Sequence, residues 1–267
     1  INGAWVASSD GAVREIRSPH DNSVVATVSE ATAADTRDAI TAARESFDSG
    51  VYASWSMKDR CALVEKVADL IKRDAEILAA FETRDTGKRM IETRYDMADI
   101  EATFRHFAAL GLKLKDRKVD VGADNITSVI THEPVGVCAL IGPWNYPLLQ
   151  ISWKAAPALV AGCSFIIKPS ELSPSTAIHF MKLLEEAGLP KGVANLICGA
   201  GATAGAPLAE DPRVDLVSFT GGLITGRRIM ATAAQTVKKV ALELGGKNPH
   251  IIFENSDIDA AIDNAVT

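Results

Sequence analysis

Up to about residue 114, apolar positions recur mainly at helical spacing; beyond Pro134 they gather into short continuous runs. Residues 1–30 precede both patterns and read as two short strand pairs, on the turn signals Asn2-Gly3, Asp10-Gly11 and Asp21-Asn22. From about Thr32 to Phe47 the spacing predicts a helix. A longer helix is predicted from Lys58 to Thr83, with Leu63, Val67, Leu70, Ile71, Ile77 and Leu78 on one stripe. The DTGK sequence, Asp85–Lys88, is a stop signal, and a further helix is predicted from Ile91 to Leu114. Lys115–Thr131 alternates weakly, as an exposed hairpin would, and exposed strand edges often serve as partner surfaces.

After Pro134 the apolar runs VGVCALIG, SFIIKPS, ANLICGA, DLVSFTGG, KVALELGG and HIIFEN read as strands. Helical stretches fall between or after them, near 150–161, 174–187, 203–210, 224–235 and 257–266. Nearly continuous apolar strands alternating with helices predict an α/β fold: a doubly wound, mostly parallel, Rossmann-like sheet covered on both faces. The organisation expected is therefore an N-terminal strand-and-helix unit (1–114), a projecting hairpin (115–133) and a dinucleotide-binding core (134–267). The final helix carries Ile258, Ala261, Ile262, Ala265 and Val266 on one side, and the sequence stops inside it. More chain is expected beyond it.

Composition narrows the function classes. Hydrophobic residues make up 47% and charged residues 23%, the usual mixture for a globular protein. Basic residues are scattered and the net charge is −6, which argues against a nucleic-acid surface. The longest apolar runs fall well short of the roughly 20 residues of a membrane span. No leader-like opening is visible, and Cys61, Cys138, Cys163 and Cys198 are far apart in apolar contexts. Reduced, buried cysteines and a cytoplasmic setting are expected.

Five stretches at predicted strand ends carry the candidate chemistry. In GPWNYP (Gly142–Pro147), two prolines stiffen a loop bearing Asn145, whose amide could donate to a developing oxyanion; an ordinary turn asparagine fits equally. In IIKPSE (Ile166–Glu171), Lys168 and Glu171 suit a ribose, and a carboxylate there disfavours a 2′-phosphate; a solvated ion pair is the plainer reading. GAGATAG (Gly199–Gly205) and FTGGLITG (Phe219–Gly226) each let a strand run through small residues into a helix, as phosphate sites do, although tight turns also need glycine. KVALELGG places Glu243 in an apolar run before Gly245 and Gly246. Burial there would raise its pKa towards that of a useful general base, unless it merely pairs with a lysine such as Lys247.

Taken together, PWNYP, KPSE, FTGG and ELGGKNP, in this order, resemble the aldehyde dehydrogenase superfamily, closest to its betaine- and amino-aldehyde branch. The resemblance implies oxidation of an aldehyde to its acid, with a cysteine attacking the carbonyl and NAD, in preference to NADP, accepting hydride. It implies that Asn145 holds the oxyanion, that Glu243 activates the water hydrolysing the thioester, and that Lys154 is a charge-relay partner. It implies a cofactor cradle of Ile141, Gly142, Pro143 and Trp144 after one strand and Lys168, Pro169, Ser170 and Glu171 after the next. The cradle continues with Gly201 and Gly205, then Phe219, Thr220, Gly221 and Gly222, then Leu244 and Gly245. Tyr146 and Trp153, seven residues apart, would present aromatic faces to a substrate ammonium. Asp96 matches a carboxylate at a structural monovalent-cation site, and the 115–131 hairpin matches the family's dimer- or tetramer-forming element. Two departures stand out. Gly222 and Leu223 replace residues that are usually small and polar, and the GQxC motif of the nucleophile does not occur in this sequence. The resemblance thus implies a nucleophile carried outside these 267 residues, with a non-catalytic NAD-binding fragment as the alternative.

Overall fold

The computed structural model describes residues 1–266; Thr267, at the end of the expected cofactor core, lies outside the described residues. The opening forms one strand pair rather than two. β1 (Val13–Arg17) and β2 (Val24–Ser29) are antiparallel. Residues 1–12 stay outside the ladder, with turns at Asn2-Gly3 and Ser9-Asp10; the Ala12 carbonyl accepts from both the Ser8 hydroxyl at 2.8 Å and Glu30 N at 2.9 Å.

α1 (Ala33–Asp48) starts at a capping box: the Thr32 hydroxyl accepts from Asp35 N, and Asp35 accepts from Thr32 N. The long helix expected over 58–83 is broken into α2 (Met57–Arg73) and α3 (Ala75–Thr86). The interruption is Asp74, at φ −97° and ψ 13°, whose carboxylate is drawn to Arg73 Nε and His179 Nε2, each at 2.7 Å. The DTGK stop behaves as predicted, with Gly87 left-handed at φ 75° after α3. α4 (Met90–Gly111) follows, then a short antiparallel hairpin of β3 (Arg117–Val119) and β4 (Ser128–Ile130).

The core is a five-stranded, all-parallel sheet of β5 (Val137–Ile141), β6 (Ser164–Lys168), β7 (Ala194–Leu196), β8 (Leu216–Gly221) and β9 (Lys239–Leu244), in the order β7-β6-β5-β8-β9. Between the strands run α5 (Pro147–Ala161), α6 (Ser175–Ala187), a π turn (Gly201–Gly205) leading into α7 (Ala206–Glu210), and α8 (Leu223–Ala234). A sixth strand, HIIFEN, does not form. Beyond Gly245 and Gly246 the chain leaves the sheet, and Ile251, Ile252 and Phe253 stay exposed and unpaired until α9 (Ile258–Val266).

β5 shows why the sheet is covered twice. Cys138 and Leu140 enter one core with Phe165, Ile167 and residues of α2, α4, α5 and α6. Val137, Ala139 and Ile141 enter the other with Ile166, Phe219 and residues of α1 and α7. Each face is apolar because each is capped by helices, so the strand sequences read as continuous runs. The start of β5 is pinned at Gly136 (φ 126°), where a Cβ would strike the Asp215 carboxylate. Asp215 Oδ2 accepts from Val137 N at 2.7 Å and Arg44 Nη1 at 3.1 Å. Cys61, Cys138 and Cys163 are buried and Cys198 is half-buried, all four free. Burial pushes the Cys198 thiol up to about 12.

Candidate active site

Strand order reverses direction at β5: β6 and β7 extend one way from it, β8 and β9 the other. In doubly wound sheets the crevice at this switch point, beyond the carboxyl ends of the strands, is where ligands bind. A cleft of about 1010 Å³ occupies that position. The cleft is lined by residues from all five predicted stretches, which lie up to about a hundred positions apart in sequence.

The β5 end supplies Ile141, Gly142, Pro143, Trp144, Asn145 and Tyr146 to the lining. Gly142 N donates to Lys168 O at 3.0 Å and the Ser173 hydroxyl to Trp144 O at 3.1 Å, which fixes the start and the middle of the loop. Pro147, whose φ is pre-set for the first helical turn, starts α5 immediately afterwards. Asn145 is thereby left exposed at the cleft surface.

The β6 end supplies Lys168, Ser170 and Glu171 to the lining. Lys168 is buried; its Nζ donates to Pro169 O at 3.0 Å and lies 3.5 Å from Glu171 Oε2. Burial lowers the Lys168 pKa, and the Glu171 charge opposes the shift. Pro169 is buried behind this pair and does not line the cleft.

Gly201 and Gly205 form the π-turn wall, and Phe219, Thr220, Gly221 and Gly222 the β8 wall. At Gly201, Gly222 and Gly245 a Cβ would meet nothing within 4 Å, so the missing side chains leave open space beside the backbone. Gly222 caps α8 without any side-chain hydrogen bond, leaving the amides of that helix start available to an anion. The lining offers groups suited to a dinucleotide: Lys168 and Glu171 after β6, open backbone at Gly201, Gly222 and Gly245, and the polar side chains of Asn145 and Glu243.

One expectation needs revision here. Glu243 lines the cleft but is exposed, not buried. β9 is the outermost strand; α8 packs against it through Gly226 and Leu244, but no further strand lies beyond it among the described residues, and the Glu243 carboxylate stays exposed. Trp153 is 46% exposed on α5 and does not line the cleft, whereas Tyr146 does. Lys154 lies behind the wall: its Nζ donates to Thr220 Oγ1 at 2.8 Å, and Thr220 Oγ1 donates to Gln150 Oε1 at 3.1 Å. Burial pushes the Lys154 ammonium down to about 8, with the Glu243 charge opposing. Asp96 is not at the cleft; its carboxylate contacts the Lys88 ammonium. Among the described residues no cluster of His, Cys, Asp and Glu forms a metal site.

Sequence reading missed Gln150, Thr225, Arg228 and Glu210, all of which line the cleft. Gln150 was within reach, since it stands one helical turn before Lys154 on α5. Arg228 had no signal beyond being a cation on a helix.

Comparison with known proteins agrees with this geometry. The aldehyde dehydrogenase family model matches residues 5–267. The chain belongs to the aldehyde dehydrogenase family. It is 49% identical over 266 residues to betaine aldehyde dehydrogenase of Bacillus subtilis, a match covering all of this chain and 54% of that protein. It is 42% identical to betaine aldehyde dehydrogenase 1 of rice, again over 54% of the relative. A crystal structure of Staphylococcus aureus betaine aldehyde dehydrogenase in complex with NAD+ superimposes with a TM-score of 0.97 at 48% identity, covering 99% of this chain and 53% of that one. The chain thus spans about half the length of the relatives it matches. No helix among the described residues is long and apolar enough to cross a membrane.

Proposed function

We propose that this chain is the cofactor-binding half of an NAD-dependent aldehyde dehydrogenase whose substrate is an aldehyde bearing a trimethylammonium or amino group. The observation that carries the reading is the convergence of Asn145, Tyr146, Lys168, Glu171, Gly222 and Glu243 on one cleft at the switch point. The relatives named as betaine aldehyde dehydrogenases and the NAD+ in the Staphylococcus aureus structure support it.

NAD, when bound, supplies the hydride acceptor. Glu171 accepts from the adenosine ribose hydroxyls, and its negative charge disfavours a 2′-phosphate, hence NAD over NADP. The amides at the start of α8 take the pyrophosphate. The nucleophile is a cysteine outside this chain. Asn145 donates its amide to the carbonyl oxygen as negative charge develops there. Glu243 accepts the proton of the water that hydrolyses the thioester. Its exposure here means that a dry, base-raising environment has to come from chain packed over β9. Lys154, tied to Thr220, steadies the floor between Asn145 and Glu243. The β3–β4 hairpin serves as the contact for a homo-oligomer, dimer or tetramer. Asp96 serves a structural cation only if Lys88 withdraws from it.

The test is NADH formation by the full-length protein with betaine aldehyde and with aminoaldehydes. Aldehyde-dependent NADH is expected from the full-length protein, and no turnover from residues 1–267 alone. Absence of turnover by the full-length protein with every aldehyde tried would overturn the proposal.

A further inference from the structure

Beneath the Gly142–Tyr146 loop lies a polar cluster that the proposed chemistry does not use. Glu82, on α3, is fully buried, and its Oε1 accepts no hydrogen bond. Its Oε2 is 3.5 Å from Leu148 N in the first turn of α5. Asp96, on α4, is also buried. Lys88, in the turn joining α3 to α4, lies between them: its ammonium contacts Asp96 and is 4.0 Å from Glu82 Oε1. The same ammonium stands 3.6 Å from the centroid of the Tyr146 ring. The Lys88 side chain is only 17% exposed, so little water competes for its charge.

A cation within about 6 Å of a ring centroid is attracted by the ring's quadrupole, and more strongly when desolvated. Tyr146 lines the cleft and Lys88 does not, so the ammonium occupies the ring face turned away from the cleft. The protein has placed its own cation on the aromatic ring that faces the substrate. A second cation on the opposite face would feel both the ring and whatever Lys88 charge remains uncompensated.

We propose that Lys88 is a specificity-determining residue: held by Asp96 and Glu82, it pins the Tyr146 ring and sets how strongly the cleft face of that ring attracts a cationic substrate. This rests on the reading of Tyr146 as substrate-facing given above. Asp96 tunes the effect by cancelling the lysine charge. Removing the lysine leaves the Asp96 carboxylate uncompensated behind the ring, and removing the Asp96 charge leaves the ammonium with only the protonated Glu82 beside it, so the two changes act in opposite directions.

The experiment compares two aldehydes of the same shape in the full-length enzyme: betaine aldehyde and tert-butylacetaldehyde, in which carbon replaces the quaternary nitrogen. The readout is the ratio of their kcat/KM values, cationic over neutral. Lys88→Met is expected to raise that ratio on the order of tenfold, carried by KM, and Asp96→Asn to lower it by a similar factor. Lys88→Arg, which keeps a stacking cation, is expected to stay within about twofold of wild type. Equal losses on both aldehydes in Lys88→Met and Asp96→Asn, or a ratio that moves in the same direction in both, would overturn the proposal and leave a purely structural ion pair. A wild-type enzyme that oxidises neither aldehyde refutes the functional reading itself, and this inference with it.

Discussion

Replacing Glu82 with glutamine should change how the stability of the protein depends on pH. Glu82 is fully buried, and burial, with the Asp96 charge adding and the Lys88 charge opposing, pushes its carboxyl from 4.5 up to about 8. A carboxyl whose pKa is raised on folding stabilises the native state fully below the unfolded value, and that contribution is lost as pH rises through the folded value. The window therefore runs from about pH 4.5 to about pH 8. A shift of this size corresponds to about 5 kcal/mol at full development. Relaxation and water penetration around the charge as it appears reduce this, so we expect a loss of about 2–3 kcal/mol between pH 5 and pH 9. Glutamine fills the same space without ionising and should remove that slope while leaving the rest of the profile intact. The assay is urea unfolding of wild type and Glu82→Gln across that range. Parallel profiles, with a constant offset between the two proteins, would show that Glu82 ionises as readily folded as unfolded and would refute the reasoning.

Three further outcomes are expected. Gly136→Ala should cost about 3 kcal/mol or more, because the new Cβ displaces the Asp215 carboxylate from Val137 N and the backbone holds φ 126°; chemical denaturation measures it. Val237→Asn should stabilise by about 1 kcal/mol, since Val237 is an exposed β-branched residue at φ 53°, where asparagine is far better tolerated; a rise in Tm checks this. Glu243→Gln in the full-length enzyme should give a burst of NADH without sustained turnover, and rapid-mixing absorbance would register unimpaired turnover if the assignment is wrong.

The parallel sheet was legible because β5 and β6 bury every residue, so their apolar runs have no alternative reading. The cleft was legible because glycine and proline at strand ends leave a spacing that survives in sequence. What failed depended on partners distant along the chain. The kink at Asp74 arises from His179, which lies more than a hundred residues away. HIIFEN has a strand's composition, but the chain leaves the sheet after β9 and does not pair with its free edge. Glu243 looked buried because its neighbours are apolar, yet only Val240 and Leu242 of β9 pack on the core, and Glu243 lies on the exposed side of this edge strand. Arg228 carries no local signature, and only the packing of α8 beside the cleft brings it in.

The strand order also places the two proposed catalytic side chains at opposite ends of a gradient in local opening. Asn145 follows β5, which is hydrogen-bonded on both sides and is expected to be among the last segments to exchange its amides. Glu243 sits on β9, which has a single hydrogen-bonded neighbour and is expected to fray before β5. Heating should then release the base while the oxyanion donor is still in place. The chain proposed to pack over β9 in the full-length enzyme would therefore have to clamp that edge, or a warmed enzyme would lose its hydrolytic step before its fold.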